Sequence, residues 1–326
     1  MMVLLRYVIV MVLLMMSELV YFRIADHFNI IDKPNERSSH KNIVLRGGGI
    51  IFLFGAILSA VFFAWQYPWF LFGLLLISAV SFADDVHSVP NKVRLLIQFA
   101  AMFMIFWQLG ILQWRLWWVA LIVLIGCVGI LNAYNFMDGI NGITGGYSLA
   151  VLLPLIYINA KQHFVAMPLL ICVALADLVF CFFNFRSKAK CFAGDVGAVS
   201  MAFILVFVIG KLMVTTHDYS WIMLLAVYGV DTVLTIIHRI RLHESLGHAH
   251  RKHAYQIMAN ELKMPHLLVS VIYMLLQLLI AAGLLWLPVN HYLYAAIVLL
   301  LLVLAYVVFM RKYYHLHEEY LRERKS

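Results

Sequence analysis

Eleven long apolar segments are the sequence feature that most constrains how this chain can fold. A helix that crosses a bilayer needs about 20 predominantly apolar residues. A soluble domain is about half apolar and about a quarter charged, whereas this chain of 326 residues is 64% hydrophobic and 12% charged. The sequence therefore predicts an all-α polytopic membrane protein with about 11 transmembrane helices, or about 10 on the lower count. The predicted spans are residues 3–22, 47–65, 67–83, 95–112, 116–134, 147–160, 164–185, 198–214, 220–238, 267–287 and 292–310.

The lysines and arginines predict the orientation of the spans, because cytoplasmic loops carry an excess of these residues. Of the 24 lysines and arginines, all but four lie in one alternate set of connections and in the tail. We therefore expect a periplasmic N-terminus, a cytoplasmic C-terminus and an active site on the cytoplasmic face, which holds the long polar loops. The net charge of +8 follows from this topology, so no nucleic-acid partner is expected.

The domain organisation is predicted to be simple. We expect one integral membrane domain, residues 1–326, with a long cytoplasmic loop at 239–266 and a cytoplasmic tail at 311–326. The tail histidines, His315 and His317, are expected to be solvated. The four cysteines have no metal-ligand spacing and are interpreted as structural.

Two acidic residues, Asp177 and Asp231, lie inside predicted spans. An acid within a membrane helix is costly and is therefore a functional candidate by default. Asp177 has no motif around it, so the argument there rests only on its position within the seventh predicted span.

The stretch 132–146 carries amide, carboxylate and glycine groups between two apolar runs. Such a cluster is costly at a membrane unless it faces water or a ligand. Asn132 and Asn135 are three residues apart, as are Asp138 and Asn141, so each pair shares one helix face. Alone, the stretch is better explained as a polar hairpin; further polar clusters on the same predicted face favour a binding site.

Two acidic clusters fall on that face. Asp84 and Asp85 end the third span, and adjacent carboxylates at a membrane boundary need a cation, a metal or a shifted pKa. Asp195 follows a glycine at the start of the eighth span, where it can reach a metal ion, and Phe192 can stack on a base. The alternatives are a helix end with a solvated loop for the pair and a helix cap for Asp195.

Basic residues form the remaining clusters. Arg46 directly precedes three glycines and a span, and glycine N–H groups ahead of a helix suit a phosphate. Lys92 and Arg94 follow the aspartate pair, and histidines and an arginine fill residues 248–253 of the long loop. Basic anchoring loops without chemistry are the alternative. The HExxH pattern and a cysteine-containing zinc ligand set are not found in this loop.

Together these clusters place carboxylates, amides, cations and an aromatic ring on one membrane face. That set suits Mg²⁺-assisted phosphoryl transfer between a nucleotide and a lipid, because such catalysis is mostly positioning and charge neutralisation. A non-catalytic lipid or sugar-nucleotide transporter is the alternative from another class, but its polar groups would lie near the bilayer midplane in broken helices. A CDP-alcohol phosphatidyltransferase would need a multi-aspartate signature that is not found.

These motifs, in this order, resemble those of the polyprenyl-phosphate N-acetylhexosamine-1-phosphate transferase superfamily, glycosyltransferase family 4. The aspartates at 84–85 are similar to the family's aspartate pair, residues 132–141 to its NxxNxxDGxxG-like loop, and residues 192–195 to its FxGD motif. The resemblance extends over residues 32–256 and fits the ten or eleven spans of the family.

The last loop indicates the branch of the family. Residues 250–256, His-Arg-Lys-His-Ala-Tyr-Gln, resemble the HRxHAYQ signature of Gram-negative O-antigen-initiating transferases and not the HHHFE-type motif of the peptidoglycan enzyme. Residues 32–40 and 46–49 resemble the same branch. One departure is that Ile43 and Leu45 stand in the interval where the family usually has prolines.

The resemblance implies that UDP-N-acetylhexosamine and undecaprenyl phosphate react to give undecaprenyl-diphosphate-linked sugar and UMP. It implies Mg²⁺, with Mn²⁺ as the alternative ion, and a multi-pass protein of the bacterial inner membrane, with the lipid bilayer as its surroundings. The product would start the synthesis of O-antigen, lipopolysaccharide or a related envelope glycan. The sugar, the glycan pathway, direct or two-step transfer, and the oligomeric state stay open, although homodimers occur in the family.

Each candidate residue has an implied role by its position in the matched motifs. Asp195 would bind the metal, and Asp84 would position or deprotonate the lipid phosphate with support from Asp85. The implied nucleotide-binding residues are Asn132, Asn135, Asp138, Asn141 and Phe192, the last against uracil. The implied phosphate- and sugar-binding residues are Arg46, Lys92, Arg94, His250, Arg251 and His253.

Overall fold

The structure, a computed structural model, describes residues 2–32, 43–112, 114–245 and 251–323. Within these residues the chain forms α-helices and one two-stranded antiparallel sheet, so the predicted all-α class is confirmed. The helices are α1 (Met2–His27), α2 (Ile51–Phe62), α3 (Pro68–Val86), α4 (Asn91–Leu109), α5 (Trp117–Met137), α6 (Ile143–Gln162), α7 (Met167–Asn184), α8 (Gly194–Thr216), α9 (Ala226–Arg241), α10 (Ala254–Asn260), α11 (His266–Trp286) and α12 (His291–Glu323). The strands are β1 (Ile31–Asp32) and β2 (Val44–Leu45). Short 3₁₀ helices precede α2, α5 and α9 at Gly48–Ile50, Trp114–Leu116 and Tyr219–Leu225.

Ten helical segments in the described part of the chain are long and apolar enough to cross a membrane. The eleventh predicted span, at 47–65, forms a shorter apolar helix, Gly48–Phe62. Pro68 lies in the first turn of α3, where a missing N–H costs nothing, and Gly110 ends α4 with a φ of 69°. The chain is thus a multi-pass membrane protein, whereas the orientation of its spans stays a prediction.

Helix α8 is the centre of the bundle. Its apolar window is 83% buried, compared with 11% for that of α12 and 17% for those of α1 and α5. It packs against α2, α3, α4 and α5. The outer helices expose many large apolar side chains, as expected of surfaces that face hydrocarbon rather than water.

The N-terminal end of α8 lies very close to the residues before α2. A Cβ atom at Gly49 would collide with the Cα atom of Gly197, so neither position has room for a side chain. The backbone N–H groups of Gly48 and Gly49 donate to the carbonyl groups of Phe192 at 2.9 Å and of Ala193 at 3.1 Å. This glycine contact brings the predicted phosphate-binding loop next to the first turn of α8.

Helix α12 continues without a break from its apolar span into the tail predicted at 311–326, as far as Glu323. His315 is exposed, as predicted, but His317 is 2% exposed, so the expectation that it is solvated is wrong. The reason is that the tail packs against α10. Nδ1 of His317 lies 2.8 Å from Oε1 of Glu261, which also pairs with Arg251 at 2.9 Å.

Candidate active site

Three aspartates and two arginines from separate segments meet beside the N-terminal end of α8. Asp84 and Asp85 come from the last turn of α3, Asp195 from the first turn of α8 and Arg94 from the first turn of α4. Arg46 comes from the loop after β2. We refer to these five side chains as the carboxylate cluster.

The two arginines bridge the three aspartates. Arg46 places Nε 2.7 Å from Oδ1 of Asp85 and Nη2 3.0 Å from Oδ1 of Asp195. Arg94 places Nη1 2.6 Å from Oδ2 of Asp84 and Nη2 2.8 Å from Oδ2 of Asp195. When all three carboxyl groups are ionised, they exceed the two guanidinium groups by one negative charge, and the cluster can then accept a further cation.

Asp85 anchors helix α8. Its Oδ1 and Oδ2 atoms accept hydrogen bonds from the backbone N–H groups of Asp195 and Val196, each at 2.9 Å. The N-terminal N–H groups of a helix lack partners inside the helix and favour a negative charge. Gly194 has a φ of 70°, and a Cβ atom there would lie 2.6 Å from Oδ2 of Asp85. A glycine is therefore needed for this approach.

Asp195 does not act as the helix cap that the sequence left open as an alternative. The N-cap residue of α8 is Ala193, and the cap hydrogen bonds are accepted by Asp85 of α3. The Asp195 carboxylate instead points into the cluster, where it meets both arginines and accepts a hydrogen bond from the Asn135 amide at 3.2 Å. This hydrogen bond joins the predicted nucleotide-binding residues to the carboxylate cluster.

The rest of the stretch 132–146 surrounds this contact. Asn132 donates to Oε1 of Gln98 at 2.8 Å. Asp138 accepts from the Thr144 hydroxyl at 2.5 Å, and burial, opposed by this hydrogen bond, raises the pKa of Asp138 to about 6. Asn141 donates to two carbonyl groups of the loop after α7, those of Arg186 and Ser187. Asn141 therefore holds a loop in place.

Two further predicted residues lie near the cluster without joining its ion pairs. Phe192 is fixed through its backbone, whose N–H donates to the Leu45 carbonyl at 2.8 Å, in the bridge that Leu45 forms with Cys191. Lys92 is exposed on α4, two residues before Arg94. Their roles toward uracil and phosphate stay predictions.

The last loop contributes two described residues from the predicted set. Arg251 pairs with Glu261 and lies over the ring of Tyr320, with its Cζ atom 4.4 Å from the centroid. Nδ1 of His253 lies 3.3 Å from Oδ1 of Asp231. Their roles toward phosphate and sugar stay predictions. His250 and His248 lie outside the described residues, as does most of the loop at 32–40.

Several residues that shape the site were missed by the sequence reasoning. Asn184 accepts from the Gly142 N–H at 2.8 Å and donates to the Cys191 carbonyl at 2.8 Å, joining two of the motifs. Gln98 holds Asn132, and Thr144 holds Asp138. Each is a polar residue in or beside an apolar run, and this was the available signal.

The oxygen donors of the carboxylate cluster suit a magnesium ion. In the described ranges, no group of three or more His, Cys, Asp or Glu residues forms a ready metal cage. Mg²⁺, however, is usually held by one or two carboxylates together with substrate phosphates and water. Asp195 is a hard oxygen donor in a cluster with excess negative charge, so the residues fit an ion that arrives with a diphosphate.

This fold and this cluster define a helical membrane protein with an acidic and basic site at one end of its bundle. A family model for glycosyl transferase family 4 matches residues 67–213, which contain all three aspartates of the cluster. Over residues 67–213 the chain is therefore similar to glycosyl transferase family 4, as its ordered motifs predict.

Three relatives are similar over much of their length. A protein of Bacillus subtilis named "Probable undecaprenyl-phosphate N-acetylglucosaminyl 1-phosphate transferase" is 27% identical over 253 residues, 72% of this chain and 70% of the relative. The undecaprenyl-phosphate alpha-N-acetylglucosaminyl 1-phosphate transferase of Escherichia coli K12 is 25% identical over 267 residues, with the same coverage of 72% and 70%. A phospho-N-acetylmuramoyl-pentapeptide-transferase of Limosilactobacillus fermentum is 26% identical over 221 residues, 58% of this chain and 66% of the relative.

Proposed function

We propose that this protein transfers N-acetylhexosamine-1-phosphate from a UDP-sugar to undecaprenyl phosphate, giving undecaprenyl-diphosphate sugar and UMP. The relatives named for N-acetylglucosaminyl 1-phosphate transfer support N-acetylglucosamine as the first sugar to test. The product would start O-antigen or related envelope glycan synthesis at the bacterial inner membrane. The similarity to transferases does not favour the transporter alternative.

The carboxylate cluster is the observation that carries this proposal. It lies where α3 ends and α8 begins, at the end of apolar helices. An acceptor phosphate could therefore bind there while its polyprenyl chain stays among the outer apolar helices. A soluble acceptor would not need a site of this kind in a membrane bundle.

The two arginines would bind the phosphate groups. A guanidinium group can exchange a carboxylate for a phosphate oxygen with the same geometry. In transfer, the bond between the sugar-bearing phosphorus and the UMP oxygen breaks, and a bond from that phosphorus to the acceptor phosphate forms. Arg46 and Arg94 would hold the charged groups together, and Asp84 would orient the acceptor.

The magnesium proposal concerns Asp195. When Arg46 and Arg94 turn to phosphate, the oxygens of Asp195 become available as ligands. A bound Mg²⁺ would supply charge neutralisation on the diphosphate. Asn135, which donates to Oδ2 of Asp195, would keep this carboxylate oriented during the exchange.

The experiment uses detergent-purified full-length protein with undecaprenyl phosphate, Mg²⁺ and a panel of UDP-N-acetylhexosamines. UMP release and lipid-diphosphate sugar are both measured. We expect both products from at least one donor, loss of both with EDTA, and loss in folded Asp195→Asn.

Asp177→Asn is the matched control, since it also replaces a buried acid in a membrane helix by its amide. Asp84→Asn is expected to lower kcat more than it raises KM. Absence of product with every donor, from protein that remains folded, would refute the transferase proposal. Full activity in EDTA would refute the metal proposal alone.

A further inference from the structure

Asp231 in α9 is a buried carboxylate, 3% exposed, with an unusually large set of hydrogen bonds. It accepts from two consecutive backbone N–H groups at the start of α10, those of Ala254 at 3.0 Å and Tyr255 at 3.4 Å. Nδ1 of His253 lies 3.3 Å away. The hydroxyl groups bonded to it are those of Tyr273, at 2.7 Å, and Thr235, at 3.2 Å. A buried carboxylate costs free energy unless such donors compensate, and here they fix the first turn of α10.

Tyr255 extends this contact to the candidate active site. Its side chain is fully buried, and its hydroxyl donates to the Phe136 carbonyl at 2.9 Å. The same hydroxyl lies so close to Gly139 that a Cβ atom there would collide with it. Phe136 directly follows Asn135, whose amide reaches Asp195. The turn at 136–139 therefore rests on the Tyr255 hydroxyl.

We propose that Asp231 is a positioning residue for the active site, acting through Tyr255 on the turn at 136–139. Asp231 fixes the start of α10, and α10 places the Tyr255 hydroxyl. The hydroxyl fixes the turn at 136–139, which directly follows Asn135, the residue that reaches Asp195. Asp231 therefore acts without touching substrate. A displacement of about 1 Å at a reacting group can cost about 100-fold in rate, so this distant anchor affects turnover. The kinetic part of the proposal rests on the proposed transferase function.

Asp177 provides a matched control within the same chain. It is a fully buried aspartate in α7, and the Cys181 thiol lies 3.8 Å from its Oδ1 atom. The two aspartates share burial and side-chain size but differ in what they hold. Asp231→Asn and Asp177→Asn therefore separate the positioning of α10 from the general effect of replacing a buried membrane acid by its amide.

The first readout is hydrogen exchange of the full-length protein, which needs no activity. In Asp231→Asn the new NH₂ group cannot accept hydrogen bonds, so at least one donor of α10 loses its partner. We expect exchange of residues 133–142 to rise about tenfold, although these residues are far from 231 in sequence. Tyr255→Phe should give the same rise, because it removes only the hydroxyl that bonds Phe136. In both variants, exchange of the α8 amides should stay as in wild type. In Asp177→Asn, exchange of residues 133–142 should also stay as in wild type.

The second readout is a double-mutant cycle on turnover. Asp231→Asn and Tyr255→Phe should each lower kcat/KM about tenfold. If Asp231 acts through Tyr255, the kcat/KM of the double variant should be at most about twofold lower than that of the less active single variant. Asp177→Asn alone should stay within about twofold of wild type, and combined with Tyr255→Phe it should stay within about twofold of Tyr255→Phe alone.

These outcomes separate the positioning role from the transferase function. Unchanged exchange at 133–142 in folded Asp231→Asn, or multiplicative losses in the cycle, would overturn the positioning role. If Asp231→Asn does not fold, unchanged exchange at 133–142 in Tyr255→Phe would overturn it. If wild-type protein makes no product but the variants loosen 133–142, the transferase proposal fails and the positioning role stands.

Discussion

Asp85→Asn and Asp84→Asn should have different effects on stability, although the two residues are adjacent. Asp85 accepts from two backbone N–H groups at the start of α8, and its side chain is fully buried. Asp84 accepts from the Val89 N–H at 2.7 Å and pairs with Arg94 at 2.6 Å. The first residue ties α3 to the central helix, whereas the second ties α3 to the following loop and to α4.

The magnitude for Asp85→Asn follows from the bonds that an amide cannot make. In Asp85→Asn the side-chain NH₂ group cannot accept from the backbone N–H that faces it. One hydrogen bond to a charged acceptor is therefore lost, and such a bond contributes about 1.5–3 kcal/mol to stability. The ion pair with Arg46 adds about 0.2–1 kcal/mol, because that guanidinium is 34% exposed and keeps Asp195. The sum is about 2–4 kcal/mol, or about 3–6 °C in apparent Tm for a chain of this size.

Asp84→Asn should cost about 1 kcal/mol or less. Its remaining oxygen can still accept from Val89, and Arg94 keeps Asp195. The assay is thermal unfolding in detergent at neutral pH, followed by intrinsic fluorescence for wild type and both variants. A decrease in apparent Tm for Asp84→Asn equal to or larger than that for Asp85→Asn would refute this division of roles, as would an unchanged Tm for Asp85→Asn.

Three further predictions follow from other parts of the bundle. Burial raises the pKa of Asp138 from 3.8 to about 6. Because the unfolded chain releases this proton at lower pH than the folded protein does, stability should fall as the pH rises from about 4 to about 6. Asp138→Asn should flatten that part of a plot of Tm against pH. Glu261→Gln and His317→Leu should each speed proteolysis of the tail about tenfold, and an unchanged cleavage rate would show that the tail is held by other contacts. Gly49→Ala should lower stability by about 1–3 kcal/mol through overpacking against α8, whereas Gly126→Ala, with open space around it, should leave the apparent Tm unchanged.

Much of the fold could be predicted because the spans are a local property of the sequence. Length and apolar composition are enough to predict a membrane helix, and ten of the predicted segments are long apolar helices in the described chain. The exception at 47–65 is instructive. Glycines at 47–49 begin that segment in a tight turn, which shortens the helix. The sequence therefore leaves open whether the chain has ten or eleven spans.

The site could be predicted only as a set of clusters. Local motifs identified Asp84, Asp85, Asp195, Arg46 and Arg94 as candidates, and the structure brings all five together. Their pairing was not predictable, because it depends on which helices are neighbours in the bundle. The anchor that Asp85 provides for α8 joins residues that are 110 positions apart.

Buried partners explain the other misses. His317 looks like a solvent-exposed residue in a charged tail, but it pairs with Glu261, which no sequence motif marks as a functional residue. Asp231 was marked as an acid in a span, yet its role depends on donors from α10 and α11. A side chain's own sequence neighbourhood contains no information on such partners.

The carboxylate cluster also joins the bundle mechanically, and this affects how variants of it should be interpreted. Its ion pairs connect α3, α4, α8 and the loop before α2. Removing one partner of a buried ion pair leaves an uncompensated charge, which costs more than the pair itself contributes. Loss of activity in a cluster variant is therefore evidence for chemistry only when α8 remains anchored. Asp84 and Asp195 can meet that condition, because their backbone contacts survive an amide; Asp85 cannot, since its side chain is the anchor.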